Sequence, residues 1–174
     1  MQRPIKSLVM GTAALAAFAG IATSSHAQTK TLPVQYPFAV KLGIAFPSDS
    51  KFSKSVFDGG VSYDLSKTTA DNPVVYQVYG DYYGKGSANV FGIGVAAQFQ
   101  LGNALNPTRP YVGAGIGDYT AHVPGSSTKS NIGGKVFAGY NFTQNVFAEA
   151  DYSITQKVNS VSPNAIGLRL GYRF

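Results

Sequence analysis

The feature that most constrains this chain is a strict two-residue alternation in which one face carries almost no charge. From about residue 90 to 101, Phe91, Ile93, Val95, Ala97, Phe99 and Leu101 fall on one side. Gly92, Gly94, Ala96, Gln98 and Gln100 fall on the other. Apolar residues every second position exclude a helix, whose buried stripe recurs at three and four residues, and require extended strands.

The same period recurs seven more times. The expected strands span 37–47, 56–65, 74–84, 90–101, 110–121, 132–142, 146–155 and 164–174. In the first, Val40, Leu42, Ile44 and Phe46 oppose Lys41, Gly43 and Ala45. In the last, Ile166, Leu168, Leu170, Tyr172 and Phe174 oppose Gly167, Arg169, Gly171 and Arg173.

Alternation alone does not say which face is outside, because a soluble barrel or sandwich alternates too, with its apolar face inward. Three features favour an apolar exterior. The apolar faces hold one charge, Asp118, near the end of the fifth strand. A Lys or Arg at the lipid midplane costs about 2–4 kcal/mol, so clean faces are expected of a lipid-exposed surface. The opposite faces are small as well as polar, with glycine at 43, 60, 92, 94, 113, 115, 117, 139, 167 and 171, which suits a narrow eight-stranded lumen. The strands are also long enough to cross hydrocarbon when tilted. Because lipid offers no hydrogen bonds, the eighth strand must close on the first. The expected fold is all-β: a closed, antiparallel, eight-stranded up-and-down transmembrane β-barrel over residues 37–174.

The first residues read as an address. Arg3 and Lys6 precede an uncharged run from Leu8 to Ala22, and Ser25-His26-Ala27 is a small-x-small triplet. This is the layout of a helical secretory signal peptide over residues 1–27, cut between Ala27 and Gln28. Residues 28–36 form a short periplasmic leader. The mature chain would hold twelve basic and eight acidic residues, too balanced and scattered for nucleic acid. It contains no cysteine, so export brings no disulfide and a Cys-based metal site is excluded.

The last strand, with Leu168, Leu170, Tyr172 and a terminal Phe174, resembles the signature by which outer-membrane barrels are recognised by their assembly machinery. The segment Pro110-Tyr-Val-Gly-Ala-Gly-Ile-Gly117 resembles a strand of the small OmpA/OmpX-type barrels. That resemblance implies an integral protein of the bacterial outer membrane with both termini in the periplasm. Periplasmic chaperones and the barrel assembly machinery are then its biogenesis partners. Loops, all of them short, would lie near 48–55, 84–89, 121–131 and 156–163 on the outer side, with turns near 66–73, 102–109 and 143–145 on the inner side.

By parity, Lys41, Lys135 and Arg169 enter the lumen with Asp58, Asp64, Asp81, Glu149 and Asp151. Lys41, Glu149, Asp151 and Arg169 fall at similar depth and are expected to form an ion-pair cluster, acting as a plug or lining a narrow ion path. Tyr79, Tyr83, Tyr111, Tyr119 and Phe137 also point inward, where aromatics cover glycines on adjacent strands. The mature chain has one histidine, His122, with Asp118 four residues before it and Ser126 and Ser127 after it. Nothing marks them as nucleophile, base and orienting group. Gly113-x-Gly115-x-Gly117 lies inside a strand with no helix after it, so it is not a dinucleotide fingerprint. The outer loops carry Lys51, Lys54, Lys85, Lys129 and Lys157 against Asp49, a charge suited to lipopolysaccharide phosphates.

The function expected is therefore non-enzymatic: a monomer in outer-membrane lipid, structural or presenting surface contacts, with no cofactor. A low-conductance porin-like channel and a soluble periplasmic ligand-binding barrel are the alternatives.

Overall fold

In the computed structural model, the described residues are 36–49, 54–68, 72–102, 106–125, 127–157 and 162–174. The expected signal peptide, its cleavage point at Ala27 and Gln28, and all but Tyr36 of the leader lie outside them.

Eight strands close into one barrel in sequence order. They are β1 (Phe38–Pro47), β2 (Val56–Asp64), β3 (Val74–Lys85), β4 (Ala88–Gln100), β5 (Arg109–His122), β6 (Lys129–Asn141), β7 (Val146–Thr155) and β8 (Ala165–Arg173). Every neighbouring pair is antiparallel, and β8 closes on β1 through partners such as Leu170 with Leu42. Carrying the registers once around the barrel advances the pairing by ten residues along β1. Such a stagger goes with strands tilted at about 40°. A ten-residue strand at that tilt rises about 25 Å, the height of an outer-membrane apolar band.

The faces divide as the alternation requires. Ile93, Val95 and Leu168 are exposed, whereas Arg169 and Glu149 are buried. A soluble barrel would show the reverse. Aromatic side chains mark both rims of the apolar exterior. Phe38, Tyr63, Tyr76, Tyr140, Phe142, Tyr172 and Phe174 ring the end that carries the termini, and Phe46, Phe57, Tyr82 and Phe91 mark the other. Aromatic girdles of this kind sit at lipid headgroups.

Two boundaries differ from the sequence reading by more than one residue, the starts of β4 and β6. The connection expected at 84–89 shrinks to a two-residue turn, Gly86-Ser87, because Lys85 and Ala88 already pair. Gly86 takes φ 63° there, the backbone shape that tight hairpins demand and glycine adopts without a Cβ clash. β6 also begins earlier than expected, at Lys129, which pairs with Ala121. The polar run Lys129-Ser130-Asn131 hides the alternation, but its backbone still pairs.

Candidate functional site: a closed, charged lumen

Each strand sends alternate side chains inward, and glycines set how much room they have. At Gly113 a Cβ would strike the Phe137 ring; at Gly139, Tyr111; at Gly171, Phe147; at Gly92, Tyr119. Each ring lies on a neighbouring strand over a position without a side chain, so the interior is filled by aromatics laid on bare backbone. Tyr111 and Phe147 meet edge-on with centroids 6.3 Å apart, and Tyr111 meets Phe137 in the same way. Nearer the opposite mouth, the Tyr79 and Tyr119 hydroxyls share a hydrogen bond of 3.0 Å. The Tyr83 hydroxyl donates to the Pro163 carbonyl.

Between these layers sit seven buried charged groups, in two networks. In one, Lys41 Nζ donates to Glu149 Oε1 at 2.8 Å and Oε2 at 3.1 Å. Tyr111 adds a hydroxyl donor to Glu149 Oε2 at 3.0 Å. In the other, Arg169 is the hub. Its Nε donates to Asp58 Oδ2 at 2.7 Å and its Nη1 donates to Asp81 Oδ1. Asp151 Oδ2 lies 3.2 Å from the same Nε. That contact is electrostatic only, because the N–H is directed at Asp58 and Asp151 Oδ2 accepts no hydrogen bond. Lys135 Nζ donates to Asp81 Oδ2 at 2.7 Å and lies 4.2 Å from the Tyr79 ring centroid.

The four residues singled out from the sequence thus fall into both networks: Lys41 with Glu149, and Arg169 with Asp151. The second network also recruits Asp58, Asp81 and Lys135. Parity placed these three inward, but their height was not legible before the stagger was known. The inward aromatic Phe147 carries the same parity signal, but Val146 and Ala148 dominate the apolar pattern of β7 and mask it in the sequence. Three cations meet four carboxylates in these networks, and all seven side chains are buried. Charges removed from water survive only when paired at this density.

The other groups with chemical potential are not assembled. His122 Nδ1 is 2.9 Å from Thr128 Oγ1. Asp118 is an exposed, outward residue of β5, paired with Ile93 and Ile132. Ser126 lies outside the described residues. Among the described residues, no group of three or more His, Cys, Asp or Glu is placed to hold a metal. At the C-terminus, Leu168, Leu170, Tyr172 and Phe174 form one exposed outer row. Tyr172 and Phe174 pack with ring centroids 4.8 Å apart, and the Phe174 amide donates to the Phe38 carbonyl at 2.8 Å.

With this geometry in view, the comparisons with known proteins are informative. Residues 91–174 match the outer membrane protein beta-barrel domain family. The fold is that of the small eight-stranded outer-membrane barrels. The Neisserial surface protein A structure is 27% identical, with TM-score 0.56, covering 78% of this chain and 95% of that one. The N-terminal β-barrel domain of Pseudomonas aeruginosa OprF is 20% identical, with TM-score 0.52, covering 84% and 100%. The outer membrane enzyme PagL is 14% identical, with TM-score 0.51, covering 79% and 97%. No curated protein matches closely enough to be named as a relative. The family match and these neighbours indicate the bacterial outer membrane. Since the same barrel carries an enzyme in PagL, architecture alone does not assign activity.

Proposed function

We propose that this protein is a non-enzymatic structural barrel of the outer membrane, which strengthens the envelope and presents short basic loops to its surroundings while its lumen stays closed. The observation that carries this reading is the filled interior. Aromatic layers lie above and below seven buried charges, and an eight-stranded barrel has little cross-section to spare. The charges hold one another rather than a hydrated path, so they act as a plug.

In this reading the chain is exported, cut between Ala27 and Gln28, carried by periplasmic chaperones and inserted as a monomer. The outer row Leu168, Leu170, Tyr172 and Phe174 is what the assembly machinery recognises. Lys54, Lys85, Lys129 and Lys157 are exposed on the loop side and contact lipopolysaccharide phosphates by attraction that salt screens. His122 is a loop residue, held by Thr128 and serving no reaction.

A planar-bilayer record on the purified protein tests the closed lumen. The expected trace shows no stable open state; a sustained, sizeable conductance would replace the plug with a pore. A His122→Ala strain with an unchanged envelope is expected alongside it. Loss of a lipid-modifying or proteolytic activity in that strain would overturn the non-enzymatic reading.

A further inference from the structure

The barrel holds two more inward cations, and they differ from the three at its centre. Lys41, Lys135 and Arg169 each sit in an ion pair. Arg109 and Arg173 lie at the end that carries the termini, and among the described residues neither has a carboxylate within ion-pair distance.

Arg109 opens β5 directly across from Asn141 on β6. It is only 8% exposed, and its enclosed Nη1 donates to no acceptor among the described residues. Arg173 reaches the Asn141 side chain from β8, donating from Nη1 to Asn141 Oδ1 at 2.7 Å. Its guanidinium lies over the Phe147 ring at 4.1 Å. The two guanidinium groups therefore lie at one mouth, within electrostatic reach of each other. Asp64, at the end of β2, lies within reach of Arg173 but forms no ion pair with it. The mouth keeps an excess of positive charge.

A buried guanidinium with a free donor is an unfinished interaction, since burial removes the water that would otherwise satisfy it. Its planar fork matches the two oxygens of a carboxylate or phosphate. We propose that Arg109 and Arg173 form a binding site for one small oxyanion, a phosphate or carboxylate group, entering from the mouth that carries the termini. Tyr111 and Phe147 close the lumen beyond it, each laid on a glycine with no room for a Cβ. The anion stops there: this is a site, not a path. The inference does not depend on the structural role proposed above, and stands or falls separately from the conductance record.

The test uses the whole protein purified from outer membranes of cells grown on 15N. The probes are sodium phosphate, sodium acetate and sodium chloride at constant ionic strength, and the readout is the Arg109 Nε–Hε resonance. A saturable shift is expected with phosphate, with acetate or with both, and at least tenfold weaker binding in Arg109→Gln. A response to phosphate alone assigns a phosphoryl group; a response to acetate admits carboxylates. The proposal is overturned if neither oxyanion gives a saturable shift, if chloride does as well, or if Arg109→Gln binds undiminished. Should Arg109→Gln fail to fold, the native titration decides by itself, with Arg173→Gln as the second variant under the same criteria.

Discussion

Replacing Arg169 by methionine removes the hub of the larger lumen network and keeps most of its volume. Three carboxylates lose their shared partner: Asp58, Asp81 and Asp151. Among the described residues, only Asp81 keeps an ion pair, with Lys135. Breaking one buried pair by removing a partner typically costs about 3–5 kcal/mol, mostly because the surviving charge stays buried and uncompensated. Here Asp58 loses its ion-pair partner and keeps only the more distant Lys135 charge, so a loss of about 4 kcal/mol is expected. The contrasting variant is Asp151→Asn. The seven-group cluster holds four carboxylates and three cations, and Asp151 Oδ2 accepts no hydrogen bond. Removing its charge relieves the excess, and the expected change is within about 1 kcal/mol. Equilibrium urea unfolding of the reconstituted barrel, followed by the mobility difference between folded and unfolded protein on unheated gels, measures both. If Arg169→Met unfolds at the same urea concentration as the parent, the lumen ion-pair network does not hold the barrel together. If Asp151→Asn costs as much as Arg169→Met, the charge-count argument is wrong.

Other perturbations probe the remaining layers. Gly113→Val places a side chain where the Phe137 ring lies; overpacking of this kind costs about 1–3 kcal/mol, and adding Phe137→Ala should recover part of the loss in the same unfolding assay. Val95→Arg puts a cation on the exposed lipid face of β4 and is expected to cost about 2–4 kcal/mol, whereas a loss below about 0.5 kcal/mol would mean that this face does not meet hydrocarbon. Phe174→Ala should lower the amount of folded barrel in cells while leaving the refolded barrel's stability within about 1 kcal/mol, because the ring lies on the exterior and exposed side chains contribute little to folding; equal losses in both measurements would assign Phe174 a packing role instead of an assembly one.

How much of this was legible in the sequence depends on which geometric quantity each conclusion needs. Whether a residue faces lipid or lumen needs only parity, since successive side chains on a strand point to opposite sides. Ile93 and Arg169 could therefore be assigned without coordinates. Which lumen residues touch needs height as well, and height depends on the stagger, a global property of all eight registers. Asp58 on β2 and Asp151 on β7 are not on neighbouring strands, yet both come within reach of Arg169. No window of sequence contains that fact. Arg109 shows the complementary limit. Thr108-Arg109-Pro110 reads as a turn, and the alternation that would place its side chain begins only after the proline. Its cross-strand partner Asn141 sits where β6 gives way to the next turn, so neither residue announces itself. The central charges advertise their place in the lumen through repeated inward parity on long strands. The arginines at the mouth become visible only when the strand ends are located, because a residue at a strand end has lost the periodic neighbours that would identify its face.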